Sequence, residues 1–390
     1  MSAPPLLLGF GTNSWSDYWQ TRQHVLSRLA TRGFRVGYTT PAMSVWERDE
    51  PRWRYAKWWS QRMVLDSVHV MYPGRLPPLT HRVDALDRAV ARRHARRYAA
   101  CVGGRSDARP DIAYVFHPDF LPYLDGIAPR RVVYHADDHQ GAMSASDPKV
   151  RDFEQGLVER ADLVIAVTEG VARGLGERAI DKTIIVGNGA DVARYGSAGL
   201  LPVPHDLAAI PRPVIAYAGS LNNKVDFPLV ARLAKARPGV HWALIGPVWD
   251  EAQLTAPLRE GLAKCRELPN VWFLGRKSYL ELPAYCAHVD ANAMVYRTDG
   301  QGWWRSIYPL KMHECLATGR PLLSADVPAV REFGSVVQLC TNDPQWLQAL
   351  DAVAAGDDWA TPVARRGVAR ANSWDHKVDL IVAGLRTLAP

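Results

Sequence analysis

Cysteine is scarce and unpaired: Cys101, Cys265, Cys286, Cys315 and Cys340 are scattered over 390 residues. An odd number without recurring spacing excludes a disulfide framework and a cysteine-built zinc site, so these read as reduced, mostly buried thiols. Long apolar runs are lacking too. None reaches bilayer length, and Leu6-Leu7-Leu8 is too short, and lacks the basic flank, to be a secretory signal. The expectation is a cytoplasmic protein. No internal repeat is discernible. The glycines of the first loop, Gly9-x-Gly11-x-x-Ser14, lack the third that a dinucleotide fingerprint requires. His135, Asp137, Asp138 and His139 resemble a metal cluster in composition, but neighbours on an extended chain point apart, and no metal is expected.

What is present is an apolar fraction of 47%, enough for two globular domains, and a net charge of +7 with a pI near 9.2. That charge suggests an anionic partner: nucleic acid, a phosphorylated ligand or a membrane surface. The basic residues are mostly arginines concentrated in the first third, above all at 88–98, which reads as a helix with a solvated basic face. Residues 46–62 interleave Trp53, Tyr55, Trp58 and Trp59 with Arg52, Arg54, Lys57 and Arg62. Rings among cations suit the headgroup layer of an anionic membrane, stacked single-stranded nucleic acid, or an ordinary amphipathic excursion with tryptophan in the core.

Short apolar runs at 6–10, 34–38, 112–116, 131–134, 163–167 and 184–186 alternate with helix-like stretches, the rhythm of a parallel α/β sheet. The pattern restarts at 214 and continues through 241–246, 271–275, 291–296 and 321–325. Residues 197–213, rich in Pro, Ala and Leu, read as the linker. The division is therefore 1–196, 213–371 and a terminal helix over 372–390. After the strand at 214, the small residues Gly219 and Ser220 let backbone amides approach a phosphate, and Lys224 supplies a charge.

The stretch 309–321, Pro-Leu-Lys-Met-His-Glu-Cys-Leu-Ala-Thr-Gly-Arg-Pro, predicts a short buried helix over 310–317, with Pro309 at its start and Gly319 and Pro321 ending it. Lys311 and Glu314, three apart, share one face near the amino end, where free amides favour an anion. This can hold a phosphate and a sugar hydroxyl together; a capped helix with a solvated Lys and Glu satisfies the same pattern.

The run from Lys311 to Pro321 resembles the donor-binding helix of GT-B glycosyltransferases, particularly bacterial family 4-like enzymes. The resemblance implies an α/β architecture of two facing Rossmann-like doubly wound domains with an interdomain cleft. Residues 1–196 would bind the acceptor, 213–371 the nucleotide sugar, and 372–390 would cross back to the first domain. It gives Glu314 to the ribose and Lys311 to the diphosphate, with Gly219, Ser220, Lys224, Tyr296 and Met312 also on the donor side. Gly11, Asn13, Asp17 and His117 fall on the acceptor side. Asn188-Gly-Ala-Asp191 resembles the family's turn before the domain crossing. One departure stands out: Ser306 occupies the position of a second glutamate that meets the donor sugar. Val-Tyr-His-Ala-Asp-Asp at 133–138 also resembles the catalytic run of the membrane-associated glucuronosyltransferase of xanthan biosynthesis, which implies that Asp138 is the general base.

The expected activity is metal- and cofactor-free transfer of a sugar from a UDP- or GDP-linked donor to a glycan or lipid-linked acceptor in bacterial surface polysaccharide synthesis. Peripheral contact with the inner face of the cytoplasmic membrane is expected, and nucleic acid is not. Two other readings remain open: a nucleotide-sugar epimerase on the same fold, and a non-catalytic basic protein binding membrane or RNA.

Overall fold

The computed structural model describes residues 4–16, 19–138, 140, 147–249, 251–299 and 302–388. Two compact units make up the chain, Met1–Gly187 with Val378–Pro390, and Asn188–Lys377.

The first unit is built on an eight-stranded sheet: β1 (Leu6–Phe10), β2 (Arg35–Thr39), β3 (Gln61–Leu65), β4 (Val68–Tyr72), β5 (Ile112–Val115), β6 (Arg131–Ala136), β7 (Leu163–Ala166) and β8 (Thr183–Ile185). Their order is β3-β4-β2-β1-β5-β6-β7-β8, parallel except for the β3–β4 hairpin. The central strands are buried on both faces, as in Leu-Val-Ile-Ala of β7, which is why they read as continuous apolar runs. The hairpin lay hidden in the sequence because β3 sits at the sheet edge with Gln61 to Val64 all exposed, so no apolar run marks it.

The second unit carries six parallel strands, β9 (Val214–Ala218), β10 (His241–Ile245), β11 (Val271–Gly275), β12 (Ala291–Met294), β13 (Leu322–Ala325) and β14 (Gln338–Cys340). Their order β11-β10-β9-β12-β13-β14 is that of a doubly wound Rossmann sheet. Strand order reverses between β9 and β12 here, and between β1 and β5 in the first unit. A ligand crevice opens at the carboxyl ends of the strands flanking such a reversal.

The expected boundary needs correction. Residues 197–213 are not a linker but part of the second unit, where Leu207 and Ile210 enter the core and Asp206 accepts from Tyr285 Oη at 2.7 Å. Prolines and small residues there mark short helical turns packed on the unit, not free chain. The division falls at Gly187, ahead of Asn188, and the Trp374–Arg386 helix begins in the second unit and ends in the first. There Arg32 Nε pairs with Asp379 at 2.7 Å and Arg131 Nε donates to Leu388 O at 3.0 Å.

All five cysteines are free, and four are buried. The Asp84–Gly103 helix buries Val90, Ala91, Ala95, Tyr98, Ala99 and Val102 and leaves Arg88, Arg92, Arg93 and Arg96 exposed. Trp46, Tyr55, Trp58 and Trp59 are each more than half exposed, so they are not core residues.

Candidate functional site

In the second unit, three segments converge at the strand-order reversal: the loop after β9, the end of β12, and the Lys311–Thr318 helix. Gly219 adopts φ +146°, a conformation that favours glycine, and an added Cβ would lie 2.5 Å from Lys311 Nζ, which would have to shift. Lys311 Nζ sits 3.7 Å above the Tyr217 ring and 5.5 Å from that of Tyr296. Tyr296 meets Trp303 edge-on at 6.2 Å, and Lys224 Nζ lies 5.2 Å over Trp303. Lys224 is held by its turn, its amide donating to Asn222 Oδ1 at 3.0 Å. Ser220 O accepts from Tyr217 Oη at 3.3 Å. Gly219, Ser220, Lys224, Tyr296 and Lys311 are thus contiguous. Among the described residues neither lysine has a carboxylate within ion-pair distance; both rest on aromatic rings. Burial works against the Lys311 charge, but attraction from Tyr217 and Tyr296 outweighs it and holds the pKa above the ordinary lysine value.

Glu314, one turn on, is 7% exposed. Burial pushes its carboxyl up to about 8; a hydrogen bond from Tyr195 and the Lys311 and Arg194 charges oppose the rise, while Asp191 adds to it. Asp191 caps the Val192–Gly196 helix, pairs with Arg194 Nε at 3.3 Å and accepts from Tyr279 Oη at 3.2 Å. A protonatable carboxyl therefore lies within a shell of two tyrosines, an arginine and an aspartate. Met312, expected on the donor side, has its side chain fully buried in the core of the unit and its amide donating to Pro309 O at 3.2 Å, so its side chain supports the helix from within the core.

The helix is fixed at both ends. Asn188 Nδ2 donates to Tyr308 O at 2.9 Å, and Tyr308 Oη bonds His313 Nε2 at 2.7 Å. Burial and the nearby Lys377 lower the His313 pKa to about 3, so it stays neutral. At the far end Gly319 takes φ +81°, and Arg365 and Arg366 donate to Gly319 O and Thr318 O. Arg365 is itself fully buried and paired with Asp358.

In the first unit, Gly11 and Asn13 follow β1 and His117 follows β5, beside that sheet's reversal. Tyr38 Oη donates to Asn13 O at 2.6 Å, and Asn13 Oδ1 is buried without a partner among the described residues. His117 Nδ1 accepts from Asp119 N at 3.3 Å. Asp138 is half-buried just beyond β6. Its neighbour Asp137 pairs with Arg22 Nη2 at 3.4 Å. His135 belongs to the core, bonded through Nδ1 to Tyr114 Oη at 2.8 Å and stacked on Phe116. Asp17 and His139 lie outside the described residues. Among the described residues no three of His, Cys, Asp and Glu are grouped to hold a metal ion.

Sequence reasoning missed Arg22, which ties Thr12 Oγ1 at 3.0 Å and Gln20 Oε1 at 2.8 Å to Asp137 while 9% exposed. A signal existed. Arginine in the first turn of the Thr21–Thr31 helix opposes the helix dipole, and only a local anion compensates it. Tyr195, Tyr217 and Tyr279 were also missed; each reads as an ordinary core tyrosine.

No protein-family model matches the chain. Over 239 residues it is 23% identical to the candidate teichuronic acid biosynthesis glycosyltransferase TuaH of Bacillus subtilis (strain 168), a match that takes in 58% of this chain and 57% of that protein's length. The solved structure of Anabaena HepE in complex with UDP-glucose is similar with a TM-score of 0.71 at 15% identity, covering 98% of this chain and 99% of that one. Sucrose-phosphate synthase from Thermosynechococcus elongatus gives 0.70 at 15% identity with the same coverage. Two doubly wound units in this order, matched over nearly the whole chain, define the GT-B fold, and the chain has it.

Proposed function

We propose that this protein is a glycosyltransferase that moves a sugar from a nucleotide diphosphate sugar to an acceptor hydroxyl. The observation that carries the reading is the pair of lysines, Lys311 and Lys224, held on aromatic rings at the sheet reversal of the second unit without a carboxylate partner among the described residues. Departure of a nucleoside diphosphate develops negative charge, which these cations and the positive end of the Lys311–Thr318 helix dipole stabilise. Glu314, protonated near neutral pH, both donates to and accepts from ribose hydroxyls. HepE holds UDP-glucose, so uridine is the first base to test.

On the acceptor side, Asp138 takes the proton of the attacking hydroxyl. The name of the Bacillus relative favours surface polysaccharide synthesis. Contact with an anionic membrane rests on the exposed Trp46, Tyr55, Trp58 and Trp59, interleaved with Arg54 and Lys57. No helix among the described residues is long and apolar enough to cross a membrane. Calorimetric titration with UDP and GDP tests the core of the reading. One of them binds the wild type, and Lys311→Ala weakens it at least tenfold, in line with about 1.5 to 3 kcal/mol for a hydrogen bond to a charged group. Equal affinity in a folded Lys311→Ala variant removes this helix from the site.

A further inference from the structure

A cavity of about 430 Å³ lies within the first unit, at the start of the Asp84–Gly103 helix. Its volume falls within the range of small-molecule sites, about 300 to 1,000 Å³. Its character runs against that of the surrounding unit, because five carboxylates line it, including Glu47, Asp84 and Asp87, in the most arginine-rich part of the chain. Three of these are already matched: Glu47 by Arg52 at 3.2 Å, Asp84 by Lys149 at 3.2 Å and Asp119 by His117 at 3.4 Å.

Asp87 is different. It is 9% exposed, its Oδ1 accepts from Thr80 N at 2.6 Å and Thr80 Oγ1 at 3.1 Å, and its Oδ2 is buried without a partner among the described residues. A buried acceptor left unsatisfied is destabilising, and a ligand donor relieves that cost. Apolar wall comes from Phe153 and from Tyr123, whose hydroxyl accepts from Ala42 N at 2.9 Å and has no acceptor for its own hydrogen among the described residues. Carboxylate acceptors, a hydroxyl donor and ring faces together match a hydroxyl-rich ring compound. Of the cations that line it, Arg52 and Lys149 are paired with Glu47 and Asp84, so the five carboxylates outweigh Arg88 and His81 and disfavour an anion; an apolar ligand leaves Asp87 unpaired. The cavity also borders the exposed aromatic segment: Thr80, which holds Asp87, accepts at its carbonyl from Trp46 Nε1 at 2.8 Å.

We infer that this cavity binds a neutral sugar of the glycosyl acceptor, with Asp87 Oδ2 accepting from a ring hydroxyl, next to a surface suited to a lipid headgroup layer. The inference rests on the glycosyl-transfer reading for the word acceptor, but the sugar site stands or falls by itself.

The test is ligand-observed saturation-transfer NMR on the full chain with methyl β-D-glucopyranoside, methyl β-D-galactopyranoside, methyl N-acetyl-β-D-glucosaminide and methyl β-D-glucuronide. UDP titration on the same samples reports folding and the donor site. At least one neutral glycoside should bind, with affinity reduced at least tenfold in Asp87→Asn, which keeps the Thr80 contacts and turns the free acceptor into a donor. Phe153→Ala, at the rim, should weaken it severalfold. UDP affinity should be unchanged in both variants. Absence of binding by all four glycosides, binding undiminished in Asp87→Asn, or tightest binding of the glucuronide overturns the proposal. Glycoside binding that is sensitive to Asp87→Asn in a chain that binds neither UDP nor GDP upholds the sugar site and removes the donor reading instead.

Discussion

Glu314 carries a titration that can be followed apart from activity. Its carboxyl is pushed from the ordinary 4.5 to about 8 by burial, so between those values the folded state holds a proton that the unfolded chain has released. Stability from this group is therefore lost as pH rises from about 4.5 to about 8, at roughly 1.4 kcal/mol for each unit of pKa difference. Glu314→Gln, which stays neutral, should gain melting temperature over the wild type as pH rises through that window, with a difference that levels above pH 8. A difference independent of pH would show that the carboxyl titrates normally. Asp138 is tested by turnover: Asp138→Asn should lower kcat at least a hundredfold with nucleotide affinity unchanged, as removal of a general base does. Asp137→Asn should act through Arg22, to which Asp137 is paired, and lower activity less. The reverse order would make Asp137 the base.

At the scale of elements, the sequence carried the Lys311–Thr318 helix nearly to the residue: 310–317 is expected and Lys311–Thr318 is found, because glycine and proline punctuation and an apolar face are local signals. The parallel strands were legible for the same reason, as continuous apolar runs. What resisted reading depends on distant partners. The stacking of Lys311 on Tyr217 joins residues 94 positions apart, and the ring of polar groups around Glu314 is assembled from three separate segments. The β3–β4 hairpin shows the opposite difficulty, since an exposed edge strand has no need of an apolar pattern. That hairpin and the segment before it expose Met63 and Val64 as well as Tyr55, Trp58 and Trp59, with Arg75 stacked 5.3 Å from the Trp58 ring. Cosedimentation with anionic vesicles should therefore fall severalfold when Trp58 and Trp59 are replaced by serine, and should fall again at high salt as headgroup attraction is screened. Equal recovery on neutral and anionic vesicles would count against a membrane role.

At the scale of the whole molecule, every group around Lys311 and Glu314, from Asn188 to Lys377, belongs to a single uninterrupted stretch. A fragment of residues 188–377 should keep UDP affinity within about threefold of the full chain, because none of the groups proposed to meet the diphosphate or ribose is removed; a tenfold loss or more would mean that the first unit contributes directly to nucleotide binding. The first unit has no such continuity. Gly384 packs so tightly on it that a single added carbon would come within 2.8 Å of Ile184 and 3.4 Å of Leu163. During synthesis the second unit is complete once Lys377 has emerged, although it comes later in the chain. The first, begun with Leu6, leaves that face of β7 and β8 uncovered until residues 378–388 arrive, so the earlier unit is the later to mature, and a chain stalled after Lys377 would carry a finished second unit and an unfinished first one.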